Sequence, residues 1–215
     1  MPLSSLLGVD LAAIGRQVRA SLDAKNAARE AAIPLCRRAT RLSANAIRAV
    51  HRGEDAEFQR LVGQARDCLD EAQAAMVGHP DVQHAGFYHD AAKEYAEAML
   101  THAMVAGLPM PECAELGVEA PAYLNGMGEA VGEMRRHLLD LMRRGELDRS
   151  EEILGAMDEI YYLLLSMDYP DAVTAGLRRT SDAIRGIIER TRGDLTVTIM
   201  QAKLQRALEA RGPEA

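Results

Sequence analysis

The chain has 215 residues, of which 48% are hydrophobic and 27% charged, with no Trp, two Phe and a formal net charge of -7. Scarce aromatics beside abundant Ala, Leu, Met and Arg predict an all-α protein, and the length fits one helical domain with a sizeable core. The acidic balance excludes generic coating of nucleic acid, though not a local basic stripe; Cys36, Cys68 and Cys113 lack the spacing of a disulfide framework or zinc site; and no apolar run approaches the roughly 20 residues that span a bilayer, so a soluble cytoplasmic protein without an export segment is expected.

From Asp10 to Arg52 the sequence predicts one long helix, bent or interrupted near Pro34 and closed at Gly53. A second helix is expected over Asp55–Val77, with Gly78 and Pro80 as stop signals, and a third over Val82–Ala106, closed by Gly107 and Pro109. A fourth should cover Ala122–Arg144, where Met134, Leu138, Leu141 and Met142 keep an amphipathic spacing. Asp148 with Glu151 reads as a capping box opening a fifth helix that runs to Met167. The last stretch, Asp171–Ala210, carries Gly176, Gly186 and Gly193 and is expected to kink or split. Together these predict a single bundle of about six or seven helices over 1–215, with 1–9 and 211–215 as flexible termini.

Two acidic pairs stand out. Glu94 with Glu97 and Glu129 with Glu133 lie three and four residues apart within Ala- and Gly-rich helical stretches, so at roughly 100° per residue each pair shares one face. If the two helices pack face to face, four carboxylates converge, which is costly unless a hard divalent cation or protons neutralise them. The competing reading is exposed carboxylates paired with nearby Lys or Arg.

Between Leu35 and Arg52 there are five arginines and no acid. Arg37, Arg41, Arg48 and Arg52 fall within a sector of about 60° on a helical wheel, opposite Leu42, Ala46, Ile47 and Val50. Guanidinium groups without balancing carboxylates suit phosphates, so an RNA or DNA backbone is a plausible partner; a solvated or subunit-contacting face is the alternative. Arg178, Arg185 and Arg192 recur every seven residues, but Asp182 and Glu189 share their face and suggest a local salt-bridge ladder. His79, His84, His89 and His102 cluster around the third helix without a ligand spacing and read as surface or interface residues. The methionines read as core or interface filler.

The stretches Lys93-Glu94-Tyr95-Ala96-Glu97-Ala98 and Tyr123-Leu124-Asn125-Gly126-Met127-Gly128-Glu129-Ala130-Val131-Gly132-Glu133-Met134-Arg135-Arg136 resemble the two signature segments of the translin/TRAX family, and Ile47 to Arg52 resembles the end of its first helix. The Glu-Tyr-x-Glu-Ala stretch is similar to the TRAX-like catalytic branch. The resemblance implies a seven-helix or similar α-fold, a homo-octameric hollow shell, and a Mg²⁺-dependent endoribonuclease that cleaves RNA held inside, with Mn²⁺ as a substitute ion. By matching position, Glu94, Glu97 and Glu129 take the metal-site roles and Glu133 is a nearby fourth catalytic acid, while Glu129 stands where the family commonly has Asp. Arg136 matches the family's basic residue after the second acid and joins Arg37, Arg41, Arg48 and Arg52 as a nucleic-acid contact. Two rivals stand beside this reading: a non-catalytic translin-like oligomer that binds single-stranded nucleic acid, and an all-α nucleoside triphosphate pyrophosphohydrolase, whose Glu-x-x-Glu half matches Glu94 and Glu97 but whose second half does not match the four-residue step from Glu129 to Glu133.

Overall fold

The computed structural model describes residues 10–211, so the termini expected to be flexible lie outside the described residues apart from the last helical position. Those residues form helices and connecting turns, with no strand among them. Six long helices carry the fold: α1 (Leu11–Arg52), α2 (Asp55–Ala75), α4 (Gly86–Ala106), α6 (Ala120–Arg144), α7 (Leu147–Ser166) and α9 (Leu177–Arg211). Three single turns connect them: α3 (Pro80–Gln83), α5 (Cys113–Leu116) and α8 (Asp171–Thr174).

The first helix is 42 residues long and runs without interruption through Pro34. Proline removes one backbone donor, but Pro34 and Glu30, whose carbonyl loses its partner, are both exposed, so water can take over that hydrogen bond. At its start the Asp10 side chain accepts hydrogen bonds from the Ala12 and Ala13 amides, and at its end Gly53 closes the helix in the left-handed conformation (φ 71°). Small residues, Ala28, Ala32, Cys36, Ala39, Ser43, Ala46 and Ala49, line its buried face and let neighbouring backbones approach closely. α1 packs mainly on α2 and α4, α4 on α6, and α6 on α7 and α9, so α4 and α6 sit at the centre of the packing order. The buried apolar side chains form one continuous cluster in which Phe58, Leu69, Leu100, Met134, Leu138, Met157 and Leu164 are the largest fully covered members.

Several expected boundaries differ from the observed ones. Pro80 starts the separate turn α3, where its missing N–H costs nothing, and α4 begins only at Gly86. Glu146 precedes α7 and Asp148 lies inside its first turn, with no side-chain cap hydrogen bond, so the Asp148–Glu151 capping box does not form. The final stretch splits as expected, but only at the first of its three glycines: Ala175 (φ 51°) and Gly176 (φ 82°) adopt left-handed conformations that end α8, after which α9 runs unbroken past both later glycines. Of the expected salt-bridge ladder only Arg185–Glu189 is local; Arg192 crosses to Asp158 on α7 and Arg178 reaches Asp168.

Candidate functional site

Close contact between α4 and α6 builds the acidic centre. A Cβ on Gly126 would lie 2.7 Å from the carbonyl oxygen of Lys93, 3.0 Å from Ala96 Cβ and 3.0 Å from the Glu97 amide. Only a glycine lets the two backbones meet there, and this crossing lies beside the acidic faces of both helices.

Carboxylate oxygens of Glu94, Glu97 and Glu129 lie within 4.8 Å of one another. Glu97 is 8% exposed, and burial, reinforced by the charges of Glu129, Glu94 and Glu133, pushes its carboxyl up to about 8. Glu94 is raised as well, first by burial and then by Glu129. The third acid has its own counter-ion: Lys93 Nζ lies 2.6 Å from Glu129 Oε1. Burial opposes the Lys93 charge, but the hydrogen bond to Glu129 and the nearby Glu94 and Asp90 outweigh it and hold the ammonium form. Three carboxylates and one ammonium leave two negative charges without a partner when all three acids are ionised.

Glu133 does not join this cluster. Its Oε2 lies 2.5 Å from Nε2 of His51, whose side chain is only 4% exposed. That hydrogen bond, opposed by burial but aided by Arg136, keeps Glu133 below the usual carboxylate range. The expected convergence of four equivalent carboxylates is thus corrected to three, with the fourth held apart by a histidine at the end of α1. The reading of exposed, salt-bridged carboxylates describes Glu129 in part and fails for Glu97, which has no cation within ion-pair distance among the described residues.

Of the five arginines assigned to nucleic-acid contact, all are exposed. Arg37 and Arg41 line a groove of about 510 Å³ between α1 and the start of α4, together with Thr40, Phe87 and Asp90. Arg48 contacts Asn45, and Arg52 makes two hydrogen bonds to Glu54. Arg37, Arg41, Arg48 and Arg136 have no carboxylate within ion-pair distance among the described residues. Ala46, Ile47 and Val50 are buried on the opposite side of α1, with Leu42 partly so. His102 stacks on Phe58 at 3.9 Å and contacts Asp55, which gives it a packing role.

Sequence reasoning missed His51 and Lys93. Both sat in quoted stretches, and a charged or titratable residue one turn from an acid was the available signal for Lys93. Nothing local marked His51, which is 82 residues away from Glu133.

An all-helical bundle with three carboxylates closing on one point between its central helices defines the class. No protein-family model matches the chain. An uncharacterized protein of Methanocaldococcus jannaschii, MJ0175, is 28% identical over 187 residues, covering 86% of this chain and 82% of its own. Among solved structures, AfC3PO matches with a TM-score of 0.79 and 29% identity over 86% of this chain and 97% of that one. AfC3PO in complex with duplex RNA matches with a TM-score of 0.75 and 29% identity over 86% and 96%. Apo-NeC3PO, at 17% identity and a TM-score of 0.76 over 85% and 96%, is a likeness of fold alone. Over most of its length the chain is similar to these C3PO structures, in keeping with the translin/TRAX resemblance of its two acidic segments.

Proposed function

We propose that this protein is a metal-dependent endoribonuclease of the translin/TRAX type that binds and cleaves RNA within a homo-oligomeric shell. The observation that carries the reading is the triad of Glu94, Glu97 and Glu129, in which one acid is almost fully buried without a cation of its own. The donor set fits Mg²⁺ or Mn²⁺: all ligands are hard oxygens, and the two uncompensated negative charges equal those of one divalent ion. Glu94, Glu97 and Glu129 would hold such an ion, which would supply charge neutralisation at a phosphodiester and a lowered pKa for a water.

The chain's own groups divide the remaining work. Glu133, kept ionised by His51, would accept the proton of the attacking water or hydroxyl. Arg37, Arg41, Arg48 and Arg136 hold backbone phosphates without reading bases, so access and strandedness govern cleavage more than sequence does. Arg52 joins them only by exchanging Glu54 for phosphate, and an exposed pair of that kind is worth little. The structure of AfC3PO with duplex RNA supports RNA as the ligand class. Self-association is supported by apolar side chains left exposed at helical spacing, Leu11, Ile14, Val18 and Leu22 on α1 and Val197, Met200, Leu204 and Leu208 on α9; the octamer is the assembly that the translin/TRAX resemblance implies. No helix among the described residues is long and apolar enough to cross a membrane.

Incubation of RNA with the wild-type protein and with Glu97→Gln, in Mg²⁺, Mn²⁺ and EDTA, tests this reading. Cleavage is expected only for the wild type with metal. Tight, salt-sensitive RNA binding without cleavage under any of these conditions would leave a non-catalytic binding oligomer in its place.

A further inference from the structure

The acidic triad opens on a second side, toward α9. There a cleft of about 410 Å³ has Glu97, Gly128 and Glu129 on one wall and Arg179, Thr180 and Ile187 on the other. Close packing fixes the α9 wall: a Cβ on Gly128 would clash with Thr180 Cγ2, and Thr180 Oγ1 donates a 2.6 Å hydrogen bond to Oδ1 of the buried Asn125 on α6. Asn125 in turn donates to the carbonyls of Pro121 and Thr174. The backbone that carries Arg179 is therefore anchored to the helix that carries Glu129.

Arg179, like Arg190 and Arg206, makes no ion pair among the described residues, but of the α9 arginines it alone lines the acidic cleft. Arg178, Arg185 and Arg192 each have a carboxylate partner. Arg179 has none within ion-pair distance among the described residues, although two carboxylates form the facing wall of its own cleft. A guanidinium across a cleft from a carboxylate pair, but not touching it, leaves a gap for a group that satisfies both sides. A phosphodiester does so, because its non-bridging oxygens accept a bidentate guanidinium on one side and face a carboxylate-bound cation on the other. Ile184 and Ile187 add an apolar flank, which strengthens charge interactions in the cleft.

We propose that Arg179 is a catalytic residue of the acidic site, gripping the non-bridging oxygens of the scissile phosphodiester from the α9 side. The inference rests on the endoribonuclease reading above and adds a residue and a direction of approach: the reacting phosphate enters the cleft from the α9 side.

Arg179→Ala, Arg179→Lys and the control Arg206→Ala, far along the same helix, are compared with the wild type in two assays. In single-turnover cleavage of single-stranded RNA with Mg²⁺, Arg179→Ala should lower the rate at saturation by roughly a hundredfold, as loss of one preorganised charge donor does, with Lys recovering part of it and Arg206→Ala none of the loss. In EDTA, binding of the same RNA is followed against salt; loss of one phosphate contact should reduce the slope of log K against log salt by about 0.7 for Arg179→Ala alone. An unchanged slope and an unchanged rate would overturn the assignment. If the wild type cleaves nothing but the slope still falls, the nuclease reading fails while the phosphate contact of Arg179 stands.

Discussion

Glu97→Gln should stabilise the metal-free protein, and by more as pH rises. The Glu97 carboxyl, ordinarily near 4.5, is pushed to about 8 by burial and by its acidic neighbours. Below 4.5 the folded and unfolded chains both hold the proton and the charge plays no part. Between 4.5 and 8 the unfolded chain releases it while the folded chain retains it, so the folded state binds more protons and loses stability with each rise in pH. At about 1.4 kcal/mol per pH unit the loss reaches about 3 kcal/mol at pH 7, and above 8 it levels off. Glutamine removes the titration at nearly constant volume.

In EDTA at fixed protein concentration, the melting temperature of Glu97→Gln should exceed that of the wild type little at pH 5 and by roughly 6–12 °C at pH 7, using 2–4 °C per kcal/mol for a chain of this size. Fixing concentration matters because assembly shifts the transition by mass action. Mg²⁺ should raise the wild-type melting temperature at pH 7 to 8 and leave that of the variant nearly unmoved. A difference between the two proteins that stays flat from pH 5 to pH 8 in EDTA would refute the account of Glu97 as an uncompensated buried acid.

Three other perturbations probe the same centre. Gly126→Ala places a methyl group against the Lys93 carbonyl and should cost about 1–3 kcal/mol in thermal unfolding while weakening Mn²⁺ binding, because it parts α4 from α6. Lys93→Met removes the resident counter-ion of Glu129 and should tighten Mn²⁺ binding severalfold by calorimetry; weaker binding would mean that Lys93 positions Glu129 more than it competes for it. His51→Ala frees Glu133 from the hydrogen bond that lowers its pKa, so the acidic limb of the cleavage profile should move to higher pH, whereas Glu133→Gln should abolish that limb.

The helices were legible because their signals are local. Gly53, Gly107 and Gly145 end α1, α4 and α6 in the left-handed conformation, and the amphipathic spacing of Met134, Leu138 and Leu141 lies on the buried face of α6. The misread boundaries depended on context. Pro80 stops one helix and starts the next turn, both of which suit proline. Gly186 and Gly193 are weak breakers overruled because α9 buries Ile184, Ile188, Thr191 and Leu195 around them. The break that does occur falls at Ala175 and Gly176, the first of the three glycines named from the sequence, although the left-handed Ala175 itself carries no mark.

The site divides along the same line. Spacing of three and four residues places each acidic pair on one face, and this much follows from helix geometry alone. What stands opposite each acid decides its chemistry, and those partners are distant in sequence: Lys93 opposite Glu129, His51 opposite Glu133, and for Glu97 no cation within ion-pair distance among the described residues. Four carboxylates alike on a helical wheel therefore become three different groups: one salt-bridged, one held ionised by a histidine, and two raised by burial and by neighbouring acids, Glu129 first among them. Only the last two require an outside cation. The small residues of the α4–α6 crossing, read from the sequence as part of a motif, bring those two within reach of Glu129, and so couple a packing requirement to the charge imbalance that a divalent ion would relieve.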